Sequence, residues 1–207
     1  TEAGRNVTAV ELDSESVEYL NREMPSLRVV EGDFLKMDLD TLIDGEMVLI
    51  GNYPYNISSQ IFFKVLDYKD KIPLVSGMLQ KEVAERICAA PGGKVYGILS
   101  VLLQAWYDCR YLFSVPPGVF APPPKVTSGV LRLTRNSRTD LGVDEAAFKR
   151  VVKTAFGQRR KTLRNSLGGL MGADNPIMSD PLMSLRPERL GVEDFIRLAK
   201  ASLRMNL

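Results

Sequence analysis

The feature that most constrains the fold is a repeated ending. Short apolar runs at residues 7–12, 27–30 and 47–50 each close on polar groups: Glu11 with Asp13, Glu31-Gly32-Asp33, and Gly51-Asn52. Runs this short and this continuous are the pattern of strands buried on both faces. Residues 14–24 read as a helix between the first two runs, and a helical or loop segment separates the second from the third. Parallel neighbours need crossovers of this kind, because a tight turn brings a strand back antiparallel. The expected class is α/β, and in open parallel sheets ligands bind outside the carboxyl ends of the strands, where Glu11, Asp33 and Asn52 stand.

The pattern continues to about residue 133 and then changes. Residues 57–66, 81–90 and 98–105 read as helices, the second closed by Pro91-Gly92-Gly93, and 73–79, 107–115 and 126–133 read as strands. Pro116-Pro117 and Pro122-Pro123-Pro124 predict an extended connection between the last two strands, which should close the sheet as a hairpin. After Arg138 only helical periodicity remains, over 144–156, 159–170 and 192–203. In the last of these Val192, Phe195, Ile196, Ala199 and Leu203 share a face. The expected organisation is an α/β domain at residues 1–138 and a small all-helical domain at 139–207.

Charge shifts at the same place. Residues 1–140 hold 15 Lys/Arg against 18 Asp/Glu, whereas residues 141–207 hold 12 against 7. A basic helical module beside an acidic one points to a polyanion such as nucleic acid, or to a solvated surface. Other chemistry is excluded by what is missing. With no histidine in 207 residues, imidazole acid–base catalysis, Ser-His triads and His-ligated metals are ruled out. No metal site is expected. Cys88 and Cys109 are too few for a disulfide framework or a paired-thiolate knuckle, and point to a reducing, cytoplasmic setting. No apolar run approaches the roughly 18–20 residues of a membrane-spanning helix, so no membrane partner is expected, and a monomer is the default.

Glu11 suits the ribose hydroxyls of a nucleoside, and Asp33 with Phe34 suits an adenine, the carboxylate accepting from the exocyclic amine and the ring packing on its face. Either acid alone could equally cap the next helix. The sharpest local signal is Asn52-Tyr53-Pro54-Tyr55. An amine conjugated to a base is a poor nucleophile until acceptors grip its N–H groups. The side-chain oxygen of Asn52 and the backbone oxygen of Pro54 would supply two acceptors, and Tyr55 an aromatic face. As the amine pyramidalises its hydrogens become more acidic, so these bonds strengthen in the transition state and lower the barrier without a general base.

Residues 49–59, Leu49-Ile50-Gly51-Asn52-Tyr53-Pro54-Tyr55-Asn56-Ile57-Ser58-Ser59, resemble the target-base motif of the ribosomal RNA adenine dimethyltransferases that modify the small subunit. The stretches 78–86, 115–126, 156–167 and 186–190 are similar to further motifs of that family, in its order, so the likeness covers nearly the whole chain. The resemblance implies a Rossmann-like methyltransferase sheet with a helical RNA-binding domain. It also implies S-adenosylmethionine-dependent N6-dimethylation of two adjacent adenosines near the 3′ end of small-subunit rRNA, during subunit maturation. By the same resemblance Glu11 with Leu12 would hold the cofactor ribose, Asp33 and Phe34 its adenine, and Asn52, Pro54 and Tyr55 the target base, Asn52 also bordering the cofactor. Phe120 would be the second aromatic that sandwiches the flipped adenine.

The candidate phosphate surface is Arg159, Arg160, Lys161 and Arg164, with Lys125. On a helix, Arg160 and Arg164 would share one face while Leu163, Leu167 and Leu170 line the other. Such contacts add salt dependence, and RNA shape supplies the choice of substrate. The same chemistry on large-subunit rRNA or on DNA, and a non-catalytic assembly factor of this fold, are the alternatives. One departure stands out. The family's opening strand and Gly-x-Gly-x-Gly loop have no counterpart in residues 1–10, where Gly4 stands alone. The expectation is an amino-terminally shortened copy that binds cofactor weakly or not at all, while the intact gene product is active.

Overall fold

The computed structural model describes residues 4–203. Its chain divides into two compact units, Thr1–Glu46 and Met47–Leu207.

In the first unit, β1 (Thr8–Glu11) and β2 (Arg28–Glu31) pair in parallel with Glu11 opposite Glu31. The crossover between them is α1 (Ser14–Glu23), started by Asp13, whose carboxylate accepts from the Ser16 N–H at 2.9 Å and the Ser16 hydroxyl at 2.7 Å. An extended residue with a side-chain acceptor satisfies a helix N–H that otherwise has no partner. These bonds from Ser16 hold the Asp13 carboxyl below its ordinary value. The short α2 (Leu39–Leu42) is capped in the same way by Asp38, and Leu39 is buried.

The second unit contains β3 (Val48–Asn52), α3 (Ser58–Asp67), β4 (Leu74–Gln80), α4 (Lys81–Cys88), α5 (Ile98–Gln104), β5 (Tyr107–Val115) and β6 (Ser128–Arg135). After these come α6 (Glu145–Gly157), α7 (Leu163–Met171) and α8 (Val192–Leu203). The strand order is β3-β4-β6-β5, parallel between β3 and β4 and antiparallel beyond. The expected hairpin is present, and β6 enters between β4 and β5. Its connection is not wholly extended, because Pro117–Val119 forms a 3-10 turn.

Val75, Leu79, Leu131 and Leu133 are fully buried and share one face of the sheet, as the register and the two-residue period require. Helices α4 and α5 cover that face with Val83, Ala84, Ile87, Leu99 and Leu103. Helix α4 comes so close that a Cβ on Gly129 of β6 would lie 3.1 Å from that of Ala84. The expectation that the three apolar runs are buried on both faces is not met: β1 is half-buried throughout, β2 is exposed at Arg28 and Glu31, and β3 alternates. Leu49 points to the covered side, while Val48 and Ile50 alternate to the other and are 51% and 74% exposed.

The helices after residue 138 pack on one another through an aromatic row. Phe156 of α6 stacks on Phe195 of α8 with ring centroids 5.8 Å apart, and lies 6.2 Å from Tyr96. Against the sheet, the Lys69 ammonium is 4.7 Å above the Trp106 ring, the Arg135 guanidinium is 5.3 Å from it, and Lys69 pairs with Glu145 of α6 at 3.1 Å. Among the described residues no helix is long and apolar enough to cross a membrane.

The helix expected over 159–170 starts at Leu163 instead. The Lys161 N–H bonds to the Gln158 carbonyl at 2.8 Å in a turn, Thr162 is extended at φ −69°, ψ 158°, and the Arg159 side chain is drawn to the carbonyls of Gly93 and Lys94. Between α7 and α8, Asn175 and Asp180 each cap a proline-started 3-10 turn, at Pro176–Ser179 and Pro181–Ser184.

Candidate functional site

The acids after β1 and β2 sit at one end of their two-stranded sheet, where the Gly32 N–H donates to the Glu11 carbonyl at 2.8 Å. Among the described residues Glu11 uses only one carboxylate oxygen. Its Oε1 accepts the N–H groups of Leu12 at 2.8 Å and Asp13 at 3.0 Å, which fixes the carboxylate against the turn and leaves Oε2 for another donor. Leu12 is 66% exposed. The depression beside Glu11, about 420 Å³ in volume, is also lined by Asp13, Glu15, Ser16 and Tyr19. Three carboxylates around one hollow favour hydroxyl donors over an anion. Asp33 is likewise half-engaged: Oδ1 accepts from the Leu35 N–H at 2.9 Å, and Oδ2 is 3.7 Å from the exposed Lys36 ammonium. Phe34 beside it is half-buried.

In the second unit the chain leaves β3 at Asn52 through a rigid foundation. The Tyr53 N–H donates to the Met78 carbonyl of β4 at 2.8 Å, and the Tyr53 side chain turns inward. Its ring lies edge-on to Phe62 of α3, 5.6 Å between centroids, and its hydroxyl donates to the Ser76 carbonyl at 3.1 Å. Burial pushes that phenol well above its ordinary range. The ring occupies room left by two glycines. A Cβ on Gly77 would meet the Gly51 carbonyl oxygen at 2.2 Å and Tyr53 Cε2 at 2.6 Å, and one on Gly51 would meet Tyr53 Cε1 at 2.9 Å.

On this foundation Asn52 is exposed and its amide has no partner among the described residues. The Pro54 carbonyl accepts the Ile57 N–H at 3.2 Å, which uses one of its two lone pairs and leaves the other. Tyr55 is half-buried; its carbonyl accepts from the Ser58 hydroxyl at 3.2 Å and its own hydroxyl is 2.5 Å from that of Ser128. Phe120 follows the Pro117–Val119 turn and is half-buried, and Lys125 is exposed further along the same connection. The basic cluster is split. Arg159 is committed to the Gly93 and Lys94 carbonyls and lies 4.0 Å from Glu188, whereas Arg160, Lys161 and Arg164 are exposed with no ion pair among the described residues. Only Arg164 stands on a helix, so the expected one-turn pairing of Arg160 with Arg164 along a helical face is replaced by a turn beside a helix.

Residues 1–200 match the family model described as ribosomal RNA adenine dimethylase. The chain belongs to this family. The ribosomal RNA small subunit methyltransferase A of Parabacteroides distasonis is 63% identical over 203 residues, covering 97% of this chain and 76% of that protein. The protein of the same description from Bacteroides thetaiotaomicron is 61% identical over 197 residues, 94% of this chain and 74% of its own length. Among solved structures, a dimethyladenosine transferase from Plasmodium falciparum superposes with a TM-score of 0.80 at 22% identity, covering 97% of this chain and 82% of that one. The 23S rRNA methyltransferase ErmE gives 0.62 at 21%, covering 95% and 82%. These two likenesses establish the shared α/β methyltransferase fold.

Within this dimethylase the structure adds residues that sequence reasoning passed over. Tyr53 was part of the motif but without a role, and it proves to be the buried support of Asn52 and Pro54. Gly77, in the middle of a strand paired on both sides, is the signal that could have shown it, since glycine there marks a close approach. Ser128 is fully buried and meets Tyr55 across a sequence separation of 73.

Proposed function

We propose that this dimethylase family member transfers methyl groups from S-adenosylmethionine to N6 of two adjacent adenosines near the 3′ end of small-subunit rRNA, as a step in subunit maturation. The observation that carries the reading is the Asn52 amide, exposed and without a partner among the described residues at the carboxyl end of β3, on a backbone fixed by the Tyr53–Met78 hydrogen bond. The relatives' description as small subunit methyltransferases supports the choice of substrate.

The acids of the first unit fit the cofactor. Glu11 keeps one carboxylate oxygen for the ribose hydroxyls, with Leu12 beside it, and Asp33 with Phe34 would hold the adenine. When bound, S-adenosylmethionine supplies an electrophilic methyl. The chain's own part is to grip the target amine: Asn52 Oδ1 and the free lone pair of the Pro54 carbonyl accept its two N–H groups. Tyr55 and Phe120 stack on the two faces of the flipped base, which recovers part of the unstacking cost. The backbone that carries both acceptors is held before the base arrives by the Tyr53–Met78 hydrogen bond, so little backbone reorganisation remains for the transition state.

Arg160, Lys161 and Arg164 are the proposed phosphate contacts of an RNA-binding part at residues 139–207, and Lys125 would add one from the catalytic part at residues 1–138. The sequence contains no Gly-x-Gly-x-Gly run, and the same proposal holds that these 207 residues alone bind the cofactor weakly.

The test offers labelled cofactor and the intact gene product to unmethylated small and large subunits. Label on the 3′ adenosines of the small subunit, lost in Asn52→Ala with RNA affinity near that of the unmodified protein, is the expected result. Label confined to the large subunit overturns the substrate, and equal loss of RNA binding in Asn52→Ala makes that residue structural. Replacing Arg160 and Arg164 together by Ala should weaken RNA binding and lower its salt slope by about 2.

A further inference from the structure

We propose that Ser128 is a positioning residue for methyl transfer, holding the Tyr55 ring at the angle from which it stacks on the target adenine. The inference deepens the proposed function and rests on it. Ser128 is fully buried at the first position of β6, and its hydroxyl is 2.5 Å from that of Tyr55, its only hydrogen-bond partner among the described residues. Tyr55 is held at its other end as well, where its carbonyl accepts from the buried Ser58 hydroxyl at 3.2 Å. An aromatic side chain on a loop ordinarily keeps rotamer freedom that stacking must remove. Fastening the tip of the ring removes it in advance.

The fastening point is rigid. Ser128 is paired on both sides, opposite Gln80 of β4 and opposite Val115 of β5. It lies beside the Asn52–Tyr55 loop because β6 runs antiparallel to β4, so the start of β6 meets the carboxyl end of β4, next to that of β3. Ser128 also ends the connection that carries Phe120 and Lys125. The two aromatic residues proposed for the base therefore share one reference strand, Tyr55 through a hydrogen bond and Phe120 through the chain. A phenylalanine at position 55 would offer the same stacking area. What the tyrosine hydroxyl adds is orientation, and it also satisfies a buried hydroxyl that would otherwise have no partner.

The experiment compares Ser128→Ala, Tyr55→Phe and the double variant in the intact gene product, on unmethylated small subunits, at a temperature where circular dichroism shows all of them folded. Ser128→Ala should lower kcat roughly threefold to tenfold with KM changed less than about twofold. Tyr55→Phe should do the same, and the double variant should be no slower than the slower single one, because each substitution breaks the same bond. With 2-aminopurine at the target position of an rRNA hairpin, all three variants should lose a similar part of the stacking-dependent quenching. A kcat for Ser128→Ala within twofold of the unmodified enzyme, or losses that multiply in the double variant, overturns the proposal. If the unmodified protein methylates no small subunit, the proposed function fails and takes this inference with it; if it does and Ser128→Ala is equally fast, only the role of Ser128 fails.

Discussion

At the scale of single residues, the site depends on atoms that are absent. Gly77→Ala would place a methyl group 2.2 Å from the Gly51 carbonyl oxygen. Backbone cannot yield as a side-chain tip can, so the substitution should cost about 3 kcal/mol and reduce methyl transfer, checked by the urea midpoint and by turnover. The milder contact at Gly51, against a ring edge at 2.9 Å, should cost less. Cys88 offers a pH test. Burial pushes its thiol up to about 11, whereas an unfolded chain releases that proton near about 8.5. The folded state thus keeps a proton that the unfolded state loses, so the stability contribution is present below the unfolded value and fades as pH rises toward the folded one. Disulfide-exchange labelling of Cys88 should be slow at pH 7 and accelerate with pH up to about 11. Asn52, Pro54 and Tyr55 can be proposed from the sequence because the chemistry proposed for them is local: three residues, one loop, one acceptor geometry. The Ser128–Tyr55 contact and the close approach at Gly77 cannot be read there, because both are created by strand register, which brings together residues that no short window contains.

At the scale of elements, the strands and most helices followed from periodicity and caps, and the exception is instructive. Leu163, Leu167 and Met171 are buried on one side of α7, yet the turn before it carries Arg159, Arg160 and Lys161 outside any helix. The amphipathic pattern ran on through those residues, while tertiary bonds from Arg159 to the 93–94 carbonyls decided the backbone. Caps, by contrast, are local and testable. Asp144 accepts the Ala147 N–H at 2.8 Å at the start of α6, so Asp144→Ala should lower stability by about 1 kcal/mol. Asp13 does the same for α1, and its lowered carboxyl sets the sign of a pH effect. The folded state favours the ionised form, so the stabilisation is present above the unfolded value and is lost as pH falls through the folded one. Amide signals of α1 followed by NMR should show fraying at acid pH, and Asp13→Asn, which has no carboxyl to titrate, should remove that pH dependence.

At the scale of the whole molecule, burial is unequal between the two compact units. Among the described residues of 4–46 the buried hydrophobic side chains are Val17 and Leu39, whereas the remainder carries full rows of them on β4, β6, α5, α6 and α8. Local opening free energy follows buried contact, so amide hydrogen exchange read by mass spectrometry should be faster through β1, α1 and β2 than through β4, β6 and α6. Equal protection in the two would contradict the division. The join between the sheet and the later helices has a practical use. The chain has one tryptophan, Trp106, and it is flanked by the Lys69 ammonium and the Arg135 guanidinium, with Glu145 of α6 paired to that lysine. Excited indoles shift their emission when nearby charges move, so the molecule carries a built-in optical gauge of how firmly α6 is seated, readable in dilute solution without any added dye.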